Sequence, residues 1–159
     1  MGRRQAREAA LQVLYQVDVA RMDPEEALAY LQKMAFPVTD DTEENNKPAS
    51  LSSRDMLFAR ELVTGTLAHL KEFDLIISRL SQDWPLYRMA AVDRNIMRLA
   101  LYEIFFREDI PGSVAVNEAV ELAKTFGGAD SSRFVNGILG RVVKDPAAFY
   151  PVQEGGSPF

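Results

Sequence analysis

The segment from Val92 to Arg107 is apolar on most sides, and this feature restricts the fold more than any other. Its isoleucine, leucine, alanine and phenylalanine residues leave a narrow polar edge that carries Arg94 and Arg98. A helix with so little polar surface is stable in water only when other elements cover most of its sides. We therefore predict a central helix here, surrounded by further helices.

Apolar residues recur at helical spacing along the rest of the sequence, and no strand-turn-strand pattern interrupts them. Helix start and stop signals, such as Asp23-Pro24 and Gly127-Gly128, separate these periods. The predicted fold class is all-α, a compact bundle of about seven helices in two packed helical subdomains. The periods predict helices from Arg3 to Met22, from Pro24 to about Ala35, from Leu51 to Leu80 with a break near Leu70, from Val92 to Arg107, from Val114 to Phe126 and from about Ser131 to Val143.

We predict a single helical domain over residues 1–145. Trp84-Pro85 separates its N-terminal helices, at about residues 3–80, from its C-terminal helices, at about residues 86–145. Residues 36–50 contain prolines, asparagines and acidic residues instead of an apolar period, which predicts an acidic loop. Residues 146–159 follow Asp145-Pro146 and are predicted to form a loosely ordered tail.

The composition argues against catalysis, because the sequence contains no cysteine and a single histidine, His69. A catalytic triad would rest on that one imidazole inside a predicted helix, and no nucleophile turn accompanies it. Gly-rich phosphate-binding motifs and thiolate metal sites are absent from the sequence. We predict no enzyme activity, no cofactor and no metal site, and we interpret His69 as a surface or half-buried helix residue.

The N-terminus predicts a cytoplasmic protein. It is basic, but polar residues follow at once and leave no apolar signal-peptide core. No apolar run in the sequence reaches the length of a membrane-spanning helix.

Arg3, Arg4 and Arg7 form a local patch of positive charge at the start of the first predicted helix. The net charge of -5 excludes a surface that is basic everywhere, so contact with nucleic acid would need such a patch. The alternative is that these arginines only keep the end of the chain soluble.

Three blocks of the sequence, in this order, resemble the NusB family of bacterial antitermination factors. They are RRQAREAALQVLY at residues 3–15, VDRNIMRLALYE at residues 92–103, and IPGSVAVNEAVELAKTFG at residues 110–127, which continues into SRFVNGIL at residues 132–139. The resemblance implies an all-helical fold and binding to the boxA RNA element of ribosomal RNA leaders together with NusE, a ribosomal protein. It also implies membership of an RNA polymerase antitermination complex that catalyses no reaction.

The resemblance assigns RNA contact to the arginine-rich first helix, here Arg3, Arg4 and Arg7, with Tyr15 as a further contact. At about 100° per residue, Arg4, Leu11 and Tyr15 project to one side of that helix. Arginines beside an aromatic ring pair with phosphates and stack on unpaired bases. For Tyr15, packing in the core is the alternative.

For NusE, the resemblance points to Asp130, Arg133 and Phe134 at the start of the last helix. Phe134 is either an exposed anchor or a core residue, and Asp130 is either a contact or only a helix cap. Gly137 is interpreted as a site of close packing. The sequence is compatible with a monomer or a homodimer, and a helical protein-protein adaptor without RNA contact is the alternative function.

Overall fold

The computed structural model describes residues 2–35, 51–82 and 84–149. These residues form eight α-helices and one short 3-10 helix, with no strand among them, and the all-α prediction is confirmed. The predicted acidic loop and residues 150–159 of the predicted tail lie outside this part of the chain. The elements are α1 (Gly2–Val19), α2 (Pro24–Ala35), α3 (Ser53–Ala68), α4 (Leu70–Leu80), the 3-10 helix (Leu86–Arg88), α5 (Ala91–Phe106), α6 (Gly112–Phe126), α7 (Ser131–Lys144) and α8 (Pro146–Phe149).

Two of the helices start at capping residues that the sequence contains. At the start of α2, the Asp23 carboxylate accepts a hydrogen bond from the backbone N–H of Glu26 at 3.3 Å. At the start of α3, the Ser52 hydroxyl accepts one from the backbone N–H of Asp55 at 3.1 Å. Both side chains satisfy a backbone donor that has no partner within the helix, which is the function of an N-cap.

The chain divides into two compact units, Met1–Val63 and Thr64–Phe159. This division falls within α3, whereas the sequence suggests one at Trp84-Pro85. In the first unit, α1 packs against α2. The buried residues of α1 include the small side chains of Ala6 and Ala10, both at 0% exposure. The single domain over residues 1–145 stays a prediction.

In the second unit, α5 packs against α4, α6 and α7. Its apolar residues Ile96, Met97 and Leu99 are at most 1% exposed. The prediction of a central, surrounded helix is therefore confirmed. The buried residues of α4, α6 and α7 recur at helical spacing, so each of these helices has one buried apolar face.

The predicted polar edge of α5 faces other parts of the protein. The Arg98 guanidinium donates from Nε to the Asp74 carboxylate at 2.7 Å and from its Nη2 atom at 2.9 Å. Arg94 donates to the carbonyl oxygens of Leu86 at 3.5 Å and Met89 at 3.3 Å, and so holds the 3-10 helix against α5. Both arginines thus connect α5 to the chain that precedes it.

The predicted tail begins with α8, a single helical turn. The Arg79 guanidinium lies 5.6 Å from the centroid of the Phe149 ring on this turn. A cation at this distance from a ring face is attracted by the ring quadrupole.

None of the helices in the described ranges is long and apolar enough to cross a membrane.

Candidate nucleic-acid interface

The first turn of α1 combines basic side chains with the positive end of a helix. Arg3 and Arg4 are exposed, and this turn contains no acidic residue. The backbone dipole adds about half a positive charge at a helix N-terminus, so cations there raise an already positive potential. An anion bound to this turn would relieve the repulsion, which makes the turn suited to phosphate groups.

Phe58 on α3 lies beside two of the three arginines. Its ring centroid is 4.9 Å from Cζ of Arg3 and 5.6 Å from Cζ of Arg7. Arg3 remains exposed, whereas Arg7 is 4% exposed. All three arginines also take part in further noncovalent interactions within the chain. The structure therefore places Arg3 and Arg4 at the surface and Arg7 in the interior.

Tyr15 lies on the exposed face of α1, with 40% of its surface accessible. Tyr15 lies eleven positions after Arg4, which corresponds to roughly 16 Å along the helix axis at 1.5 Å per residue. Leu11, predicted to share this side, is 5% exposed and belongs to the core. The exposed face thus includes Arg4 and Tyr15 but not Leu11, because neighbouring elements cover more of α1 than its own apolar stripe indicates.

The predicted partner residues lie at the start of α7, in the second unit. Asp130 and Arg133 are exposed and Phe134 is half-buried. Asp130 occupies the N-cap of α7, yet its side chain makes no capping hydrogen bond. Arg133 lines a groove of about 500 Å³ between α6 and α7. The groove is also lined by Ser113, Val116, Asn117, Val120, Ser132, Asn136, Gly140 and Val143.

The interpretation of Gly137 as a site of close packing is wrong. The residue is exposed, and a Cβ atom added to it would have no atom within 4 Å. Close packing occurs instead at Gly65, where a Cβ atom would collide with the ring of Tyr102 on α5. The sequence carries no signal that separates these two helical glycines, because the difference lies in what each one faces.

His69 lies at the junction of α3 and α4, in an aromatic cluster. Its ring stacks on Phe106 with 4.2 Å between centroids and lies 5.9 Å from the ring of Phe73. It is half-buried, as predicted. Within the described ranges, no group of three or more histidine, cysteine, aspartate or glutamate side chains is arranged to hold a metal ion.

Phe58 is the residue of this site that sequence reasoning missed. In the sequence it is one apolar position of the third predicted helix, and it comes more than fifty positions after Arg3 and Arg7. Only the packing of the first unit brings its ring next to their guanidinium groups. No local pattern could have identified it.

Helices throughout the described chain and arginines at the start of the first helix define an all-helical protein with a basic helix end. The chain belongs to the NusB family, whose model matches residues 4–144. It is 53% identical to the transcription antitermination protein NusB of Desulforudis audaxviator over 151 residues, which cover 95% of this chain and 99% of that protein. It is 52% identical to the protein of the same name from Pelotomaculum thermopropionicum, with 98% of each chain covered.

Solved structures of the family have the same fold. The structure of T. maritima NusB superposes with a TM-score of 0.75 at 34% identity, covering 94% of this chain and 97% of that one. A crystal structure of the antitermination factors NusB and NusE in complex with double-stranded RNA contains a chain with a TM-score of 0.70 at 28% identity. The match covers 90% of this chain and 96% of that one.

Proposed function

We propose that this protein is a transcription antitermination factor that binds boxA-type RNA of ribosomal RNA leader transcripts together with NusE. In this function it joins the RNA polymerase antitermination complex in the cytoplasm, promotes processive transcription of rRNA operons and catalyses no reaction. The observation that carries the proposal is the exposed pair Arg3 and Arg4 on the positive end of α1. A solved complex of a relative with NusE and double-stranded RNA supports the binding of NusE and RNA.

Tyr15 favours single-stranded RNA as the ligand of this surface. Its ring is 40% exposed on the same face of α1 as Arg4. Exposed aromatic rings stack on bases that are not paired, whereas double-stranded RNA is bound mainly through its phosphates and 2′-hydroxyl groups. The boxA element would therefore lie along α1, with phosphates at the first turn and a base on Tyr15.

The small number of exposed arginines implies weak RNA binding by the protein alone. Each phosphate contact on a single strand contributes about -0.7 to the slope of log K against log salt. Arg3 and Arg4 together would give a slope of about -1.4, which is shallow for a nucleic-acid-binding protein. A partner that adds its own RNA contacts would supply the missing affinity, and NusE is the partner proposed for this function.

The arginine pair is tested by titrating fluorescently labelled boxA RNA at several salt concentrations. We expect Arg4→Ala to weaken binding by about threefold to tenfold at low salt and to reduce the salt slope by about 0.7, because one phosphate contact is lost. Tyr15→Ala should weaken binding to single-stranded RNA and leave the salt slope unchanged, because a stacking contact releases no counterion.

Arg141→Ala is the matched control, since it removes an exposed arginine from α7 in the other unit. It should bind RNA like the wild type. A double-stranded version of the same RNA tests the preference for single strands. Equal binding by the wild type and by Arg3→Ala/Arg4→Ala would contradict the proposed RNA surface and would favour an adaptor that contacts proteins only.

The start of α7 is the proposed binding site for NusE, through Asp130, Arg133 and Phe134. Arg133 borders the groove between α6 and α7, where an incoming chain could be contacted on two sides. Gly137, one turn further on, leaves the helix backbone bare and so allows a partner to approach it closely.

Arg133→Ala is expected to weaken NusE binding by about fivefold to thirtyfold, because arginine is among the residue types that contribute most at protein interfaces. Calorimetry with purified NusE, without RNA, measures this effect. Arg141→Ala on the same helix should bind NusE normally. Light scattering on both variants shows separately whether each is a monomer or a homodimer. Unchanged affinity in Arg133→Ala would place the NusE site elsewhere.

A further inference from the structure

Phe58 contacts Arg3 of the proposed RNA surface and the buried Arg7, but it is itself hidden from solvent. The ring is 7% exposed, so it has almost no face to offer to RNA. Its neighbours Arg3 and Arg7 lie four residues apart on α1 and therefore on the same side of that helix. Any effect of Phe58 on RNA binding must act through these arginines.

A phenylalanine ring holds a guanidinium group in a way that an aliphatic side chain does not. The negative face of the ring attracts the cation, by roughly 0.5 to 2 kcal/mol depending on how far the pair is removed from water. Arg3 at 4.9 Å and Arg7 at 5.6 Å from the ring centroid both lie within the range of this attraction. The ring is thus one of the contacts that restrict the Arg3 side chain.

Restricting Arg3 before RNA arrives lowers the entropic cost of binding. A long side chain that becomes ordered only on binding reduces the affinity, and a side chain that is already ordered does not. Arg3 remains exposed while its guanidinium lies over the ring, so this contact leaves the residue accessible to a phosphate. The Arg7 guanidinium, which is buried, lies 5.6 Å from the centroid of the same ring.

We propose that Phe58 is a positioning residue of the RNA surface, which holds Arg3 in the orientation that binds a phosphate and uses Arg7 as an interior support. This inference rests on the proposed function, because it assumes that Arg3 contacts RNA. It adds a residue from α3 to a surface otherwise composed of α1, and it gives the buried Arg7 an indirect function.

Phe58→Leu tests the proposal, since leucine keeps an apolar side chain and removes the ring. We expect RNA binding to weaken by about twofold to fivefold without a change in the number of phosphate contacts, so the salt slope should be unchanged. Phe58→Tyr keeps the ring face and should restore binding. Arg3→Ala/Phe58→Leu should bind no more weakly than Arg3→Ala, because the ring acts through Arg3.

Leu62→Val controls for a simple loss of stability. Leu62 is 0% exposed and lies one turn after Phe58 on the same helix. This variant weakens the core but keeps the Phe58 ring, so its RNA affinity should equal that of the wild type at temperatures where both are folded. Affinity losses of equal size in Phe58→Leu and Leu62→Val would overturn the positioning role and leave the RNA surface in place.

A measurement on the wild type covers the case in which Phe58→Leu does not fold. NMR relaxation of the arginine Nε–H groups should show a more ordered side chain for Arg3 than for the exposed Arg54, and ring-current shifts should mark the Arg3 protons. Equal mobility of the two side chains would overturn the proposal. Loss of RNA binding in Arg4→Ala together with normal binding in Phe58→Leu would refute the positioning role alone, whereas normal binding in all arginine variants would refute the proposed function.

Discussion

Gly65→Ala is expected to lower the free energy of unfolding by about 1 to 3 kcal/mol, the usual range for overpacking a filled core. The added Cβ atom would lie 2.8 Å from Cδ2 of Tyr102 and closer still to Cε2 and Cζ of the same ring. The ring cannot simply turn away, because Tyr102 is 9% exposed and its ring stacks on Phe106 at 5.7 Å between centroids. Urea unfolding followed by circular dichroism measures the loss.

Gly137→Ala is the matched control, since it makes the same substitution in another helix. No atom lies within 4 Å of the added Cβ there. Alanine should therefore stabilise the protein by roughly 0.5 to 1 kcal/mol through its higher helix propensity. The two variants should move the unfolding midpoint in opposite directions.

Tyr102→Leu tests whether the Tyr102 ring causes the loss of stability in Gly65→Ala. If the ring is the obstacle, Gly65→Ala should cost much less in the Tyr102→Leu background than in the wild type. A Gly65→Ala protein as stable as the wild type would mean that the ring of Tyr102 yields easily. It would also mean that the close approach of α3 to α5 does not depend on this glycine.

Arg98→Met is expected to cost about 2 to 3 kcal/mol, somewhat less than the loss of one partner from a fully buried ion pair. The Arg98 side chain is 7% exposed and that of Asp74 is 25% exposed, so water compensates the remaining carboxylate only in part. Nη1 of Arg98 also donates to the side-chain oxygen of Asn95 at 3.1 Å, and Asn95 is 1% exposed. Methionine keeps much of the side-chain volume and removes all of these hydrogen bonds.

Two comparisons show whether the stability lost in Arg98→Met comes from the burial of the ion pair or from the loss of a charge alone. Arg98→Met/Asp74→Leu should recover most of the stability, because it removes the unpaired carboxylate as well. Arg60→Ala breaks the pair with Glu25, whose side chains are 47% and 67% exposed, and should cost about 1 kcal/mol or less. Similar losses in Arg98→Met and Arg60→Ala would contradict this account of the α4–α5 connection.

Local sequence rules predicted the elements that depend on neighbouring residues. Asp23 and Ser52 begin helices because their side chains reach backbone N–H groups only three residues away. The apolar segment around Ile96 forms a surrounded helix because its composition leaves it almost no stable exposed face. The positions of Arg3 and Arg4 at the start of α1 follow from the same local periodicity.

Contacts between distant parts of the chain determined which arginines are exposed and which glycine is tightly packed. In the sequence Arg3, Arg4 and Arg7 form one patch, yet the structure buries Arg7 and leaves the other two exposed. Phe58, from a distant helix, lies beside both Arg3 and Arg7. Gly65 and Gly137 are equivalent in sequence, but only Gly65 faces an aromatic ring. Helix formation depends on hydrogen bonds between residues four positions apart, so the local sequence is enough to predict a helix. Contacts between helices depend on which faces meet once the whole core has packed, and the local sequence does not determine this.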